Sequence, residues 1–229
     1  MPQQERVPST WVENTASSDK LLQLDSADSQ LPFQFTLDAL RSNVFRTTFT
    51  SKTHPLPPHP SVPPLKKQVE AASINVSSTS TTKEIKIGPI TATIDWTESS
   101  PLLSVSLEGH KNGPLHEDLP NRSYVVDGEG IAHYSRYNRD TLYVGLGEKA
   151  APMNLAGRKF ELSATDSFGY DIYRTDPLYK NIPLLINATP SGCLALFSTT
   201  HSRGSYSIGA EMDGMWGRYK VLRQDYGGL

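Results

Sequence analysis

Hydrophobic and polar residues alternate along most of the chain from residue 32 onward. In PFQFTLDAL, Phe33, Phe35 and Leu37 alternate with polar neighbours, which is the period of a half-buried strand. Similar runs, bounded by Gly, Pro, Asn or Asp, recur as NVFRTTFTS, EIKIG, PITATIDW, LLSVSLEG, RSYVVDG, IAHYSRYN, TLYVGLG, RKFELSAT, IPLLINA, GCLALFST, YSIGAEM and MWGRYKVL. The pattern therefore predicts about a dozen strands and no strongly amphipathic helix.

The short connections between these runs decide how the strands pair. Parallel strands need crossovers of about a dozen residues or more, whereas antiparallel strands do not. We therefore predict an all-β fold, an antiparallel sandwich of two sheets. INATPSGCLALFS predicts a hairpin that turns at Pro190–Gly192 and, being almost continuously apolar, lies centrally. YNRDTLYVG predicts another hairpin, with its turn at Asn138–Asp140.

Two segments depart from the strand pattern. Residues 1–30 are polar without a convincing period, so we expect them to be mostly disordered, with a loosely packed turn around Leu21–Leu24. A proline-rich run at 55–64 and a hydroxyl-rich run at 73–82 predict a flexible insertion, residues 52–82, inside a sandwich domain of residues 31–222.

Composition and charge narrow the classes of function. The formal net charge is −2 and no basic stripe is visible, which argues against nucleic acid as the main partner. No apolar run is long enough to span a membrane, and no signal peptide is recognisable, so we expect a cytoplasmic protein or a chain cut from a larger precursor. The single cysteine, Cys193, is expected to be a small buried strand residue. No pattern of cysteines and histidines indicates a metal or another cofactor.

Three short motifs indicate chemistry that their surroundings do not support. GLGEKA (Gly145–Ala150) fits a dinucleotide fingerprint, but the next strand follows too soon for the required helix. Glu211 and Asp213 could suggest paired acids, but Gly214 makes a turn between strands the simpler interpretation. His133 is expected to be a strand residue with a satisfied hydrogen bond.

The segment ATDSFGYDIYRTDPLYKNIPLL (164–185) is both acidic and aromatic, which is unusual for a surface loop. Together with YVGLGEK and MNLAGRKFEL it resembles the N-terminal region of glycoside hydrolase family 31, the α-glucosidases and their relatives. The residues that match the family pattern are Gly145, Gly147, Glu148, Thr165, Asp166, Asp176–Lys180, Ile182 and Pro183.

This resemblance implies a galactose mutarotase-like β-sandwich that packs against a catalytic (β/α)8 barrel. The family's barrel motifs are absent from this sequence, and residues 223–229 would begin the connection to such a barrel. The implied function is that of the non-catalytic N-terminal domain of a retaining α-glucosidase, which hydrolyses terminal α-linked glucose. Since the catalytic aspartates are absent, we predict that this chain alone is inactive.

The resemblance also implies roles for residues of the loop. Asp166 would accept hydrogen bonds from sugar hydroxyls, and Phe168 and Tyr170 would offer their ring faces to a sugar or to the barrel. The expected supports of the loop are Thr165, Asp176, Pro177 and Tyr179, with Asp176 bonding its own backbone. The implied partners are an α-glucoside or oligosaccharide, once a barrel is joined, and the barrel itself or a second chain that carries it.

Two other functions fit the same predicted fold. Tyrosines on a sandwich are typical of a free-standing carbohydrate-binding module, and the proline-rich spacer would suit a protein-interaction domain. Fold alone does not decide between these functions.

Overall fold

The structure is a computed structural model that describes residues 5–16, 20–53, 73–128, 130–199, 202–214 and 217–225. Among these residues no helix is long and apolar enough to cross a membrane. The strands are β1 (Trp11–Glu13), β2 (Leu22–Ser26), β3 (Phe33–Arg41), β4 (Val44–Ser51), β5 (Asn75–Ser78), β6 (Thr82–Ile87), β7 (Ile90–Asp95), β8 (Leu102–Leu107), β9 (His116–Glu117), β10 (Tyr124–Asp127), β11 (Gly130–Arg136), β12 (Leu142–Gly147), β13 (Arg158–Leu162), β14 (Asn181–Thr189), β15 (Gly192–Phe197), β16 (Gly204–Asp213) and β17 (Gly217–Gln224).

The strands form four hydrogen-bonded sheets in which every pairing between named strands is antiparallel. Sheet I has the order β1-β2-β3-β4, sheet II β5-β6-β7-β8-β9, sheet III β12-β14-β15, and sheet IV β10-β11-β17-β16-β13. The predicted all-β antiparallel sandwich is confirmed, and its strands are distributed over these four sheets.

The largest hydrophobic cluster joins sheets I, II and IV. The alternation predicted for β3 is present from Phe33 to Leu37, since Phe33, Phe35 and Leu37 are buried while Gln34 and Thr36 are half-buried; it ends at Asp38, which is buried too. The ring of Phe49 from β4 stacks on Tyr124 from β10, with the ring centroids 4.6 Å apart. Burial of one such large side chain stabilises the fold by about 1.5–3 kcal/mol.

A second cluster joins sheets III and IV. Tyr143 and Leu185 from sheet III pack with Phe160, Tyr206 and Leu222 from sheet IV. Sheet IV also buries polar residues: Ser135 on β11 lies opposite Lys220 on β17, and both are buried.

The predicted hairpin at 190–192 exists, but its predicted central position was wrong. β14 pairs with β15, and Thr189 lies opposite Gly192. β15 is an edge strand of sheet III, and Cys193 is exposed on it rather than buried. The nearly continuous apolar run suggested two covered faces, but alternate residues of β15 point to solvent and Phe197 is 59% exposed.

The prediction of a hairpin at 138–140 was also wrong. A turn does form there, where the Thr141 amide donates to the Asn138 carbonyl (3.4 Å). The flanking strands do not pair with each other, because β11 pairs with β10 and β17 while β12 pairs with β14. The turn therefore passes the chain from sheet IV to sheet III.

Within residues 1–30, the prediction of disorder was wrong where the structure describes the chain. β1 and β2 lie in this segment, and Trp11, Leu22 and Leu24 are buried in the largest cluster. Leu22 and Leu24 are spaced as a strand requires, but the short run among polar residues gave a weak period. The Arg6 and Val126 backbones also form a β-bridge on sheet IV.

The predicted flexible insertion, residues 52–82, lies partly outside the described residues, and this includes the proline-rich run at 55–64. Its later part was predicted incorrectly, since β5 (Asn75–Ser78) forms the edge of sheet II by pairing with β6. All four of its side chains are exposed, so backbone hydrogen bonds rather than apolar burial hold it. At the other end of the domain, residues 226–229 of the predicted connection also lie outside the described residues.

Candidate functional site

The matched loop, residues 163–180, connects β13 in sheet IV to β14 in sheet III; we call it the acidic–aromatic loop. Lys149 fixes the base of this loop, which is where the chain leaves β13 and rejoins β14. The Lys149 side chain is 2% exposed, and its ammonium donates to the Glu161 carbonyl (2.7 Å), Asp176 Oδ1 (2.9 Å) and Asn181 Oδ1 (2.7 Å). All three donors of this lysine are therefore used where the loop leaves and rejoins the sheets.

Asp176 links the two ends of the loop. One carboxylate oxygen accepts from Lys149, and the other accepts from the backbone amide of Glu161 on β13. The expectation that Asp176 would bond its own backbone was wrong, because a lysine and a strand amide occupy both oxygens. A cis peptide bond joins Asp176 to Pro177.

Hydrogen bonds also cross the middle of the loop. Ser167 Oγ donates to the Pro177 carbonyl (2.8 Å), and Tyr179 Oη donates to the Ser167 carbonyl (2.8 Å). The amide of Thr165 donates to the carbonyl of Leu178 (3.4 Å). The residues expected to support the loop therefore lie in one network that holds its two sides together.

The three residues predicted to bind substrate lie together in the exposed part of this loop. Phe168 is 98% exposed, and Asp166 and Tyr170 are also exposed. Within the described part of the chain, the Asp166 carboxylate has no hydrogen-bond or ion-pair partner. The Asp171 carboxylate, in contrast, accepts from the Tyr173 amide at 2.7 Å. The loop thus presents one free carboxylate beside exposed rings, which suits binding of hydroxyl groups but supplies no acid pair.

A second polar group, which the sequence did not reveal, lies between the sheets. Asp118 follows β9 and is fully buried; its Oδ1 accepts from His116 Nε2 (2.8 Å) and His133 Nε2 (2.7 Å). Its Oδ2 accepts from the amide of Leu103 (2.9 Å). We call His116, Asp118 and His133, together with the nearby Lys220, the buried polar cluster. The satisfied hydrogen bond predicted for His133 is confirmed.

Burial and charge shift the pKa values within this cluster. Burial alone would raise the pKa of Asp118, but the two imidazoles hold it well below its usual range. Burial lowers the pKa of His116, despite the opposing effect of Asp118. Burial likewise lowers the pKa of Lys220 to about 8, although the charge of Asp118 acts in the opposite direction. Asp118 is therefore ionised at neutral pH.

The three side chains His116, Asp118 and His133 are of types that bind metals and have donor atoms within 4.8 Å of one another. However, both imidazole nitrogens lie at hydrogen-bond distance from the same oxygen. Ligands about 2.0–2.2 Å from a tetrahedral zinc ion are farther from one another than this. The cluster is thus arranged for hydrogen bonding, and Lys220 adds a positive charge that opposes a cation.

The other motifs have structural roles. No helix follows GLGEKA, because residues 148–157 run through turns into β13. Glu211 lies near the β16–β17 turn and forms a bidentate pair with Arg223, at 2.7 and 2.8 Å. Burial alone would raise the pKa of Glu211, but Arg223 lowers it. GLGEKA therefore does not begin a helix, and the Glu211 carboxylate is already paired with Arg223.

Sequence reasoning did not identify Lys149, Asp118 or Lys220 as important. Lys149 carried a signal, since it follows the matched Gly-x-Gly-Glu turn. Lys220 also carried one, because it is a lysine inside the apolar run YKVL on β17. Asp118 carried none, because its partners come from β8, β9 and β11.

Comparisons with known proteins agree with this fold. A family model, the glycosyl hydrolase 31 N-terminal galactose mutarotase-like domain, matches residues 34–206. No curated protein sequence matches the chain.

Solved structures with a similar fold include three enzymes. A dextranase from Flavobacterium johnsoniae, complexed with glucose, has a TM-score of 0.75 and 16% identity, covering 97% of this chain and 25% of that chain. An α-1,4-glucan lyase from Gracilariopsis lemaneiformis has a TM-score of 0.70 and 13% identity, and the match covers 98% of this chain and 28% of the lyase chain. The cycloalternan-forming enzyme from Listeria monocytogenes has a TM-score of 0.69 and 12% identity, and the match covers 96% of this chain and 19% of that enzyme's chain.

This chain therefore spans less than a third of each of these three enzymes, and at such identities the likeness shows the fold alone. The family model, in contrast, covers well over half of the chain. The protein belongs to the family of glycosyl hydrolase 31 N-terminal galactose mutarotase-like domains.

Proposed function

We propose that this protein acts as the non-catalytic N-terminal domain of a retaining α-glucosidase that releases terminal α-linked glucose. It packs on the catalytic barrel, and the acidic–aromatic loop completes the substrate pocket. The observation that carries this proposal is the loop itself, which is firmly tied at its base while its Asp166 carboxylate is exposed and unpaired.

The chemistry of Asp166 supports a contact with sugar. An ionised carboxylate accepts hydrogen bonds from hydroxyl groups about twice as strongly as a neutral acceptor does. The carboxylate keeps this capacity for a ligand because no described residue already uses it. The network of Lys149 and Asp176 at the base limits how far the loop can move, which lowers the entropy lost on binding.

The exposed apolar side chains of the loop support docking against another surface. The loop carries several, namely Phe168, Tyr170, Ile172, Tyr173 and Tyr179, all at least 44% exposed. Large apolar groups concentrated on one surface typically mark an interaction site. A barrel that covers part of this surface and leaves Asp166 at the rim of its pocket would account for both properties.

The carboxyl groups of the loop also explain why the catalytic acids should come from the barrel. Retaining enzymes need two carboxyl groups about 5–5.5 Å apart. Asp166 is free, but Asp171 and Asp176 are occupied by hydrogen bonds within the fold. We therefore expect the purified chain to release no glucose from maltose.

The test is Asp166→Ala in an enzyme that joins this domain to its barrel. We expect kcat/KM for maltose to fall about tenfold, the equivalent of about 1.4 kcal/mol, because one charge-assisted contact is lost. Asp140→Ala is the matched control, since Asp140 is an exposed aspartate at the β11–β12 turn. Equal kinetics for the two variants, with unchanged melting temperatures, would remove Asp166 from the pocket.

The second candidate, a free-standing carbohydrate-binding module, is favoured by the exposed rings of Phe168 and Tyr170. Sugars stack on such platforms without any catalytic partner. Saturable binding of maltose by the isolated chain, abolished by Phe168→Ala, would favour this function. Absence of such binding, with a kinetic effect of Asp166→Ala in the joined enzyme, would favour the first.

A further inference from the structure

A cavity of about 390 Å3 opens between sheets II, III and IV, beside the buried polar cluster. It lies at the lower end of the size range of small-molecule pockets, about 300–1,000 Å3. His116 comes from β9, Asn187 from β14 and Lys220 from β17, so strands of three sheets contribute to its wall. The rest of the lining comes mainly from the β8–β9 and β11–β12 connections, and Arg139 lies in the second of these.

Lys220 is the most unusual group in this wall. The residue is 2% exposed, yet its ammonium makes no hydrogen bond or ion pair with any other described residue. Its Nζ lies 5.6 Å from the centroid of the Tyr143 ring, and the charge of Asp118 also acts favourably on it. Lys220 lines the cavity without a hydrogen-bond acceptor from the described residues, which leaves its ammonium available to an anionic ligand.

Two further atoms of the wall are unsatisfied. His116 Nδ1 and Asn187 Oδ1 are buried and have no hydrogen-bond partner in the described structure. A buried polar atom that is left unpaired destabilises the folded state. The described residues therefore leave polar atoms of this wall without hydrogen-bond partners.

The charges around the cavity indicate the sign of the missing partner. Three cationic side chains line it, Lys220, Arg136 and Arg139, whereas Glu117 is the one acidic residue among the described lining. Glu117 already pairs with Arg136 at 3.1 Å, and Arg139 has no ion pair with a described residue. Asp118 is not among the lining residues, and its carboxylate oxygens already accept hydrogen bonds from His116, His133 and the Leu103 amide.

We propose that this cavity binds a small hydroxylated oxyanion of monosaccharide size, a sugar carboxylate or a sugar phosphate, through Lys220 and Arg139. The Lys220 ammonium contacts the anionic group, and the guanidinium of Arg139 holds it from the mouth. A sugar carboxylate and a sugar phosphate both present an anionic group to these two side chains, and testing one probe of each kind separates them.

The test titrates the full chain near neutral pH, by calorimetry, with D-glucuronate, glucose 6-phosphate and neutral D-glucose. We expect saturable binding of at least one anion and none of glucose. Lys220→Met should weaken this binding at least about tenfold, and Arg139→Gln severalfold. Lys159→Met is the matched control, since it removes an exposed lysine on β13 and should leave binding unchanged.

A pH series provides a readout that does not depend on any variant folding. Glucuronate remains an anion from neutral pH to pH 10. The charged and titratable groups that face the cavity or Lys220 are Asp118, Glu117, Arg136, Arg139, His110, His116, Tyr137 and Tyr143. The pKa of Asp118 is held well below its usual range, that of His116 is lowered, and that of Tyr143 is raised to about 12 by burial, so none of these three changes charge as Lys220 titrates. The affinity should therefore fall above the pKa of Lys220, about 8. Absence of anion binding, equal binding of glucose, or binding independent of both Lys220 and pH would overturn the proposal.

Discussion

Asp166 and Asp118 are the same residue type in opposite surroundings. Asp166 lies exposed in the acidic–aromatic loop with no described partner, whereas Asp118 is fully buried and accepts from two imidazoles and an amide. The first carboxylate is available to a ligand, and the second is committed to the fold. A carboxylate whose oxygens are unpaired suits recognition of a ligand, whereas a buried carboxylate with all its acceptor bonds made holds the surrounding strands together.

The largest effect should follow from removing the buried carboxylate. Asp118→Ala leaves His116, His133 and the Leu103 amide without their acceptor in the interior of the fold. We expect a loss of about 3–5 kcal/mol in the free energy of unfolding, measured by urea denaturation. Asp140→Ala should change it by less than about 0.5 kcal/mol. Similar stabilities for the two variants would contradict the contrast between the buried and exposed carboxylates.

The next effect concerns the pH dependence of stability through Lys220. Its folded pKa of about 8 lies below the ordinary value of 10.5, so the unfolded chain binds more protons between these values. Stability attributable to Lys220 should therefore rise between about pH 8 and 10.5, by about 2–3 kcal/mol in total.

The measurement compares the native chain with Lys220→Met by urea denaturation across this pH range. The methionine variant should be the more stable at pH 7, and the difference between the two proteins should shrink as the pH rises. A constant difference from pH 7 to 10 would show that burial does not perturb this lysine.

A smaller effect should follow at the base of the acidic–aromatic loop. Lys149→Met removes three hydrogen bonds and leaves Asp176, which is 20% exposed at its side chain, without its cation. We expect a loss of about 2 kcal/mol and faster amide hydrogen exchange in residues 163–180, while the buried polar cluster stays unchanged. Lys180→Met is the control, because its pair with Glu148 is exposed and 3.4 Å long.

The sequence predicted the strands better than their partners. The alternation in β3 and the turn at 190–192 depend on neighbouring residues, so local patterns reveal them. The pairing of β11 with β17 joins residues roughly 90 positions apart, such as His133 and Leu222, and no local pattern encodes it. For the same reason the turn at 138–140 was recognised, but the change of sheet across it was not.

The candidate sites divide in the same way. Asp166, Phe168 and Tyr170 were identifiable because they lie within one contiguous motif. Asp118, His133 and Lys220 are spread over about a hundred residues and meet only after the sheets pack. The edge position of β15 was equally invisible, since an apolar run looks the same in a central strand as in an edge strand that a partner could cover.

That edge strand has a practical consequence. Because the chain has one thiol, Cys193, and it faces solvent, a maleimide dye will attach at a single defined point without a substitution. The dye would sit next in sequence to the turn that joins β14 and β15. Quenching or a spectral shift on adding a barrel would then report whether assembly covers this side of sheet III.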